Sequence, residues 1–333
     1  MLMNSRLRLR ETLSFSPGVP PPRYESEFSD EVVQAWRTQG ALSSISPEEY
    51  FHLDRREDLP VAWRRAREEK TVVETESDMT LFRRAYDPRR TDRLPSDWDD
   101  QLGRWVERDF ALSAAPWNEG FFQVIGINDA VSFNKAIALL YDQPKRIEAA
   151  MDHYAGYLEE LMNRVLADIE VDYAVFYEPI ASNHAPVVSP ETYARFAMPA
   201  LRRVVECIDR RGVEFRFVWS SGQVRPLIPL WLDAGINGLL LNQPGLAGIS
   251  YRALRREFDS RLRFLGGVDW RVVVQGPQAI DEELEQTVRP LLEQGGYVPY
   301  LDDTIRAYIP FDQFRYYRDR LDKLVAEVYG CPP

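Results

Sequence analysis

The feature that most constrains this chain is the alternation, in its second half, of short apolar runs with helical patterns. The runs are Tyr173–Tyr177, Glu214–Trp219, Ile236–Leu241, Leu262–Gly266 and Tyr297–Leu301. Their first residues stand 41, 22, 26 and 35 positions apart. Steps of that length leave room for a helix between strands, and repeated βα units fold as parallel strands with right-handed crossovers. Ser189-Pro190-Glu191 opens one helix, with Ser as cap and Pro at the first position. Another spans about Ile280–Glu293, bends at Pro290 and closes on Gly295-Gly296. Neither Gly-x-Gly-x-x-Gly nor Gly-x-x-x-x-Gly-Lys-Ser/Thr follows a run, so no nucleotide cradle is expected. The predicted fold class is α/β: a single (β/α)8 TIM-type barrel with an N-terminal helical arm.

The arm is residues 1–65, packed on a barrel of residues 66–330. Ser16-Pro17-Gly18-Val19 runs into Pro20-Pro21-Pro22, which excludes helix and central strand. Short helices follow at Asp30–Arg37, with Val33 and Trp36 on one face, and near Ser46-Pro47-Glu48. Trp36 and Tyr50 suit either a homodimer face or packing on the barrel. Thr71–Thr75, Met79–Arg84 and Phe121–Ile125 give weak strand signals. Asn128–Glu170 reads as two helices broken at Asp142-Gln143-Pro144. The second carries Ile147, Met151, Tyr154, Tyr157, Leu158, Leu161, Val165 and Ile169, mostly at three- and four-residue steps along one face.

Charge narrows the function. Lys and Arg number 41 against 52 Asp and Glu, a net charge of −11, which argues against nucleic-acid and anionic-membrane partners. No apolar run approaches the ~20 residues a membrane helix needs. The segment MLMNSRLRLRETL lacks the apolar core of a secretory signal. The two cysteines, Cys207 and Cys331, make neither a disulfide framework nor a Cys-only zinc site. A cytoplasmic enzyme with a small-molecule substrate is expected.

In such a barrel the site lies at the C-terminal ends of the strands. The first run is followed by Glu178 after Tyr177, with Asn183 and His184 beyond. The second ends in Trp219-Ser220-Ser221-Gly222, the third in Asn242-Gln243, and Asp269 follows the fourth. The fifth brings Tyr300, Asp302, Asp303 and Arg306. Carboxylates, amides, hydroxyls, aromatics and an Arg together suit acid–base work on a small molecule. Glu178 and Asp269 fit equally well as helix caps. Asp302 and Asp303, adjacent on a strand, would point to opposite faces. His184 reads as a surface residue before a helix, and His52 and His153 sit in charged helical stretches. Ser220-Ser221-Gly222 is not a nucleophile elbow.

Val188-Ser189-Pro190-Glu191-Thr192-Tyr193 with Phe196 and Pro199, Ser221-Gly222 with Pro226-Leu227-Ile228, Gly266-Gly267-Val268-Asp269 and Gly295-Gly296-Tyr297-Val298 together resemble the uroporphyrinogen decarboxylase superfamily. The resemblance implies a (β/α)8 barrel and one of two chemistries. One is cofactor-free decarboxylation of tetrapyrrole acetate side chains. The other is corrinoid-linked methyl transfer with a zinc-activated thiol. The decarboxylase's Arg-Gln-Ala-Gly-Arg motif is absent. Where the methyltransferases carry a zinc-binding His-x-Cys-Gly, this chain has Trp219-Ser220-Ser221-Gly222, and their later Cys falls near Asp302. No metal and no cofactor are therefore expected. The first reading is a decarboxylase-type lyase acting on an organic acid or tetrapyrrole-like substrate. Glu178 or Asp302 would donate a proton, Tyr300 or Tyr177 would hydrogen-bond the substrate, and Arg306 or Arg225 would grip a carboxylate. His184, Trp219, Ser221, Asn242, Asp269 and Asp303 would line its site. The alternatives are a methyltransferase component that docks a corrinoid protein, and a non-catalytic binding protein.

Overall fold

The computed structural model describes residues 3–64 and 72–331. The expected boundary at 65/66, and Thr71 at the head of one weak strand signal, lie outside them. Among the described residues seven strands form: β1 (Arg56–Asp58), β2 (Ala111–Ala114), β3 (Tyr173–Tyr177), β4 (Phe215–Ser221), β5 (Gly238–Asn242), β6 (Arg263–Leu265) and β7 (Tyr297–Val298). Their order in the sheet is their order in the chain. With helices between successive strands, this is the α/β fold of the TIM-type barrel.

The chain divides into two compact units. One comprises Glu57–Arg108 and Leu112–Asn237. In it β2, β3 and β4 run parallel, and β3 pairs with β4 over its whole length, from Tyr173 opposite Phe215 to Tyr177 opposite Trp219. The helix Pro144–Val165 buries Ile147, Met151, Tyr154, Leu158, Leu161 and Val165, the stripe expected from its period. It packs on the helix Met198–Arg210.

The other unit comprises Met1–Arg56, Asp109–Ala111 and Gly238–Pro333. Here β5, β6 and β7 run parallel. Strand β7 is short, and the ladder resumes where Leu301 bridges Val268. Of the segment expected as an arm, residues up to Arg56 pack within this unit, and the rest belongs to the other. Trp36 is fully buried among Phe28, Phe51, Phe311 and Phe314, and its indole N–H donates to Ile309 O at 2.9 Å. Tyr50 lies against Phe51 and Phe311. In the helix Asp30–Thr38, Val32 is buried in place of the expected Val33.

Two expected strands are helices. Met79–Arg84 belongs to Glu76–Ala85, opened by a capping box between Thr75 and Asp78 and burying Met79, Phe82 and Ala85. Phe121–Ile125 is a helical turn, Phe121–Val124, after Gly120. The helix expected at Ile280–Glu293 starts earlier, at Pro277, and passes through a π-helical segment, Leu284–Val288. Pro290 explains that segment, since it cannot donate to the carbonyl four residues back. Arg252 donates to that carbonyl, Gln286 O, in its place. Among the described residues no helix is long and apolar enough to cross a membrane.

Candidate active site

In the unit that holds β2 to β4, Glu178 follows β3 and is almost wholly buried. Both carboxylate oxygens are occupied. Oε1 accepts from Phe121 N at 2.9 Å. Oε2 accepts from Trp117 Nε1 and from the Tyr193 hydroxyl, each at 3.1 Å. Tyr193 in turn accepts from Trp231 Nε1 at 3.1 Å. Burial raises the Glu178 carboxyl to about 7, against the pull of its three donors. Its backbone is pinned as well: its N–H donates to Trp219 O, and its carbonyl accepts from the Ser220 hydroxyl at 2.6 Å. A second buried carboxylate, Glu119, lies on the same loop as Trp117 and accepts from the Tyr86 hydroxyl.

Around it stand other residues expected from the sequence. Tyr177 and Trp219, opposite each other in register, are half-buried with ring centroids 5.4 Å apart. Ser221 ends β4. Gly222 beside it has φ +79°, and a Cβ there would sit 2.5 Å from Ser182 O. Only glycine allows that approach. The segment 181–186 is thereby held as a tight hairpin, closed by Ala181 opposite Pro186, with His184 exposed on it.

The other unit gathers Asn242, Asp269, Tyr300, Asp302, Asp303 and Arg306 at the ends of β5, β6 and β7, whereas Arg225 lies in the first unit, in the turn Arg225–Leu227 after β4. Asp302 lies beyond β7 and is buried at 8% exposure. Its Oδ1 accepts from Trp270 N at 3.1 Å, and no donor among the described residues reaches Oδ2. Burial raises its carboxyl to about 7; Asp269 and Asp303 add to the rise, while the Trp270 N–H and Arg271 oppose it. Asp303 goes the other way. Burial pushes it up, but hydrogen bonds from Asn242 and the Thr304 backbone and the charge of Arg306 outweigh that and hold it low. Asn242 Nδ2 donates to its Oδ1 at 2.9 Å, and Gln243 Nε2 and Arg306 Nη2 to its Oδ2. Asp302 and Asp303 are past the strand, so the alternation expected of adjacent strand residues does not apply, and both are engaged. Asp269 caps the helix Trp270–Gln275 and pairs with Arg271 at 2.6 Å. Tyr300 is buried beneath, its ring 4.9 Å from the Arg56 guanidinium.

The sequence carries no site signal for Trp117, Glu119, Tyr193 and Trp231. Trp117 and Glu119 follow β2, whose Ala-Leu-Ser-Ala sequence is short and entirely buried, with no alternation to betray it. Gln243, expected at the end of the third run, is a non-glycine residue at φ +46°, held by its bond to Asp303.

Where a thiol-activating zinc would need ligands, the chain offers Trp219 and Ser221. An indole N–H cannot ligate, and a neutral hydroxyl is a poor ligand. Among the described residues no three His, Cys, Asp or Glu side chains stand so as to hold a metal ion. The residues present do not fit a thiol-activating zinc site.

The family model described as Uroporphyrinogen decarboxylase (URO-D) matches residues 112–320. No curated protein matches. Among solved structures, a methyltransferase from Methanosarcina mazei has the same fold, with a TM-score of 0.63 at 16% identity over 98% of this chain and 100% of that one.

Proposed function

Since the chain belongs to the uroporphyrinogen decarboxylase family, we propose that it catalyses lyase-type decarboxylation of an organic acid or tetrapyrrole-like substrate, with Asp302 as proton donor. The observation that carries this reading is the state of Asp302. Its carboxyl keeps its proton to about pH 7, one oxygen is anchored by Trp270 N, and the other takes no donor among the described residues. A general acid works best with a pKa near the operating pH.

The step balances without a co-reactant. The bond between the substrate carbon and its carboxylate breaks, CO2 leaves, and the electron pair stays on carbon. That carbon takes the proton from Asp302 Oδ2, and solvent reprotonates the resulting carboxylate. Arg306 spends Nη2 on Asp303, which leaves Nε and Nη1 to grip a substrate carboxylate. Tyr300 supplies a phenol to orient the substrate. Glu178, with both oxygens occupied, positions the loop that carries Trp117 and Phe121 and donates no proton.

Methyl transfer with a corrinoid protein as partner is the competing reading, in line with the shared fold of the Methanosarcina mazei methyltransferase. One experiment separates the two. Small carboxylates and porphyrinogens are screened for CO2 release by the wild type and by Asp302→Asn. The expected result is release by the wild type that falls at least about a hundredfold in the variant. Release undiminished in Asp302→Asn, or methyl transfer from a methylated corrinoid to a thiol without CO2 release, overturns the proposal.

A further inference from the structure

Gln243 follows β5, and its backbone is left-handed, with φ 46° and ψ 51°. Two local preferences oppose that. A side chain with a Cβ is disfavoured there, and glutamine lacks the short polar group that lets asparagine or aspartate offset the penalty. Pro244 comes next, and a residue before proline is pushed toward extended backbone. Backbone held in such a conformation persists only where its surroundings over-determine it, and it gathers at functional sites.

What holds Gln243 is the loop beyond β7. Its N–H donates to Asp302 O at 3.2 Å, and its side-chain Nε2 donates to Asp303 Oδ2. Strand β6 lies between β5 and β7 in the sheet, so both bonds reach across its end. Asn242 Nδ2 adds a third, to Asp303 Oδ1 at 2.9 Å. Asp302 is fixed on its other sides as well. Its N–H donates to Val268 O at 2.8 Å, and its Oδ1 accepts from Trp270 N at 3.1 Å. The Asp302 carbonyl is the remaining backbone handle, and Gln243 supplies a donor to it. A glycine would make the same turn without strain but would lack the amide that reaches Asp303.

We infer that Gln243 is a positioning residue for the reaction proposed above: its side-chain amide, anchored on Asp303, holds the strained backbone whose N–H fixes Asp302. The inference rests on the role given to Asp302, and the Gln243 side chain touches no reacting atom. Without the bond to Asp303, the pull toward extended backbone goes unopposed. The Gln243 N–H then turns away, and Asp302 loses one of its backbone anchors. Small misplacements of a catalytic group are enough to slow a reaction.

The test compares two variants. Gln243→Met keeps the length and loses the donor. Gln243→Asn carries a short amide that tolerates left-handed backbone unaided. Gln243 is half-buried, so neither variant hollows the core, and a thermal melt checks that each folds. One readout is the titration of the Asp302 carboxyl by carbon-13 NMR, and the other is CO2 release. Asp269, Asp303, Arg271, Tyr251 and Tyr297, which face that carboxyl, are unchanged in both variants. In Gln243→Met the Asp302 midpoint should fall from about 7 toward the ordinary carboxyl range, as the loosened loop lets water in. Its kcat should fall about tenfold with KM held within about twofold. Gln243→Asn should stay close to the wild type in both readouts. A strut that serves stability alone would lower the melting temperature of both variants and leave the midpoint in place. A midpoint still near 7 in Gln243→Met, or equal effects in the two variants, overturns the inference. Absence of CO2 release from the wild type overturns the reaction instead, and the titration then decides the role of Gln243 by itself.

Discussion

Two buried carboxyls, Glu178 and Asp302, both hold their protons to about pH 7 and do so in opposite surroundings. Glu178 is raised by burial alone and is ringed by donors. Asp302 is raised by burial with help from two neighbouring carboxylates, and Arg271 opposes it. That difference is testable one residue at a time. Asp269→Asn and Asp303→Asn should each lower the titration midpoint of Asp302, and Arg271→Gln should raise it, read from carboxyl carbon chemical shifts. Around Glu178 the expectation is structural. Tyr193→Phe removes a donor to Oε2 and the acceptor of Trp231 Nε1, and each buried loss costs about 1–3 kcal/mol. Urea denaturation should show it destabilised by about 2–4 kcal/mol. Trp231→Phe in the same chain should restore part of that, because it removes the orphaned N–H.

At the level of elements, loops are fixed by close approach more than by propensity. A Cβ on Gly120 would stand 2.7 Å from Pro179 Cδ and 2.8 Å from Glu178 Oε1. Gly120→Ala should therefore shift the turn Phe121–Val124, weaken the Phe121–Glu178 bond and destabilise the protein by more than about 2 kcal/mol. Gly103→Ala, in the helix Trp98–Val106 with open space around it, should stabilise by about 0.5–1 kcal/mol. Thermal or urea midpoints of the two variants should move in opposite directions. The same contrast governs what the sequence revealed. β3 was legible to the residue because five consecutive β-prone apolar residues, Tyr173 to Tyr177, can be little else. The helix Glu76–Ala85 carries its capping box in the sequence, at Thr75 and Asp78, but Met79–Arg84 taken alone also suits a short strand. Phe121–Val124 was not legible, since its turn depends on a carboxylate 57 residues away.

Over the whole molecule the titrating groups pull stability in two directions. Asp87, Asp92, Asp281, Glu285 and Asp303 are lowered in the folded state, so their stabilisation is present above their ordinary values and is lost as pH falls below them. Glu178, Glu283 and Asp302 are raised. The folded state keeps their protons after the unfolded state has lost them, so their stabilisation fades as pH rises above the ordinary carboxyl range, up to about 7 for Glu178 and Asp302. Stability against urea should accordingly peak near pH 4–5 and decline toward 7, and Asp302→Asn should flatten that decline. The sequence placed Glu178 and Asp302 at strand ends from the βα spacing. It did not reveal which would be saturated and which left open, because that depends on donors far along the chain, such as Phe121 and Tyr193 for Glu178. Carbon-13 titration of aspartate-labelled protein, wild type beside Asp302→Asn, shows whether Asp302 is an acid poised near neutrality. One aspartate carboxyl should have a midpoint near 7 and disappear in the variant. If every aspartate titrates below pH 5, Asp302 is an ordinary carboxylate and the account is contradicted.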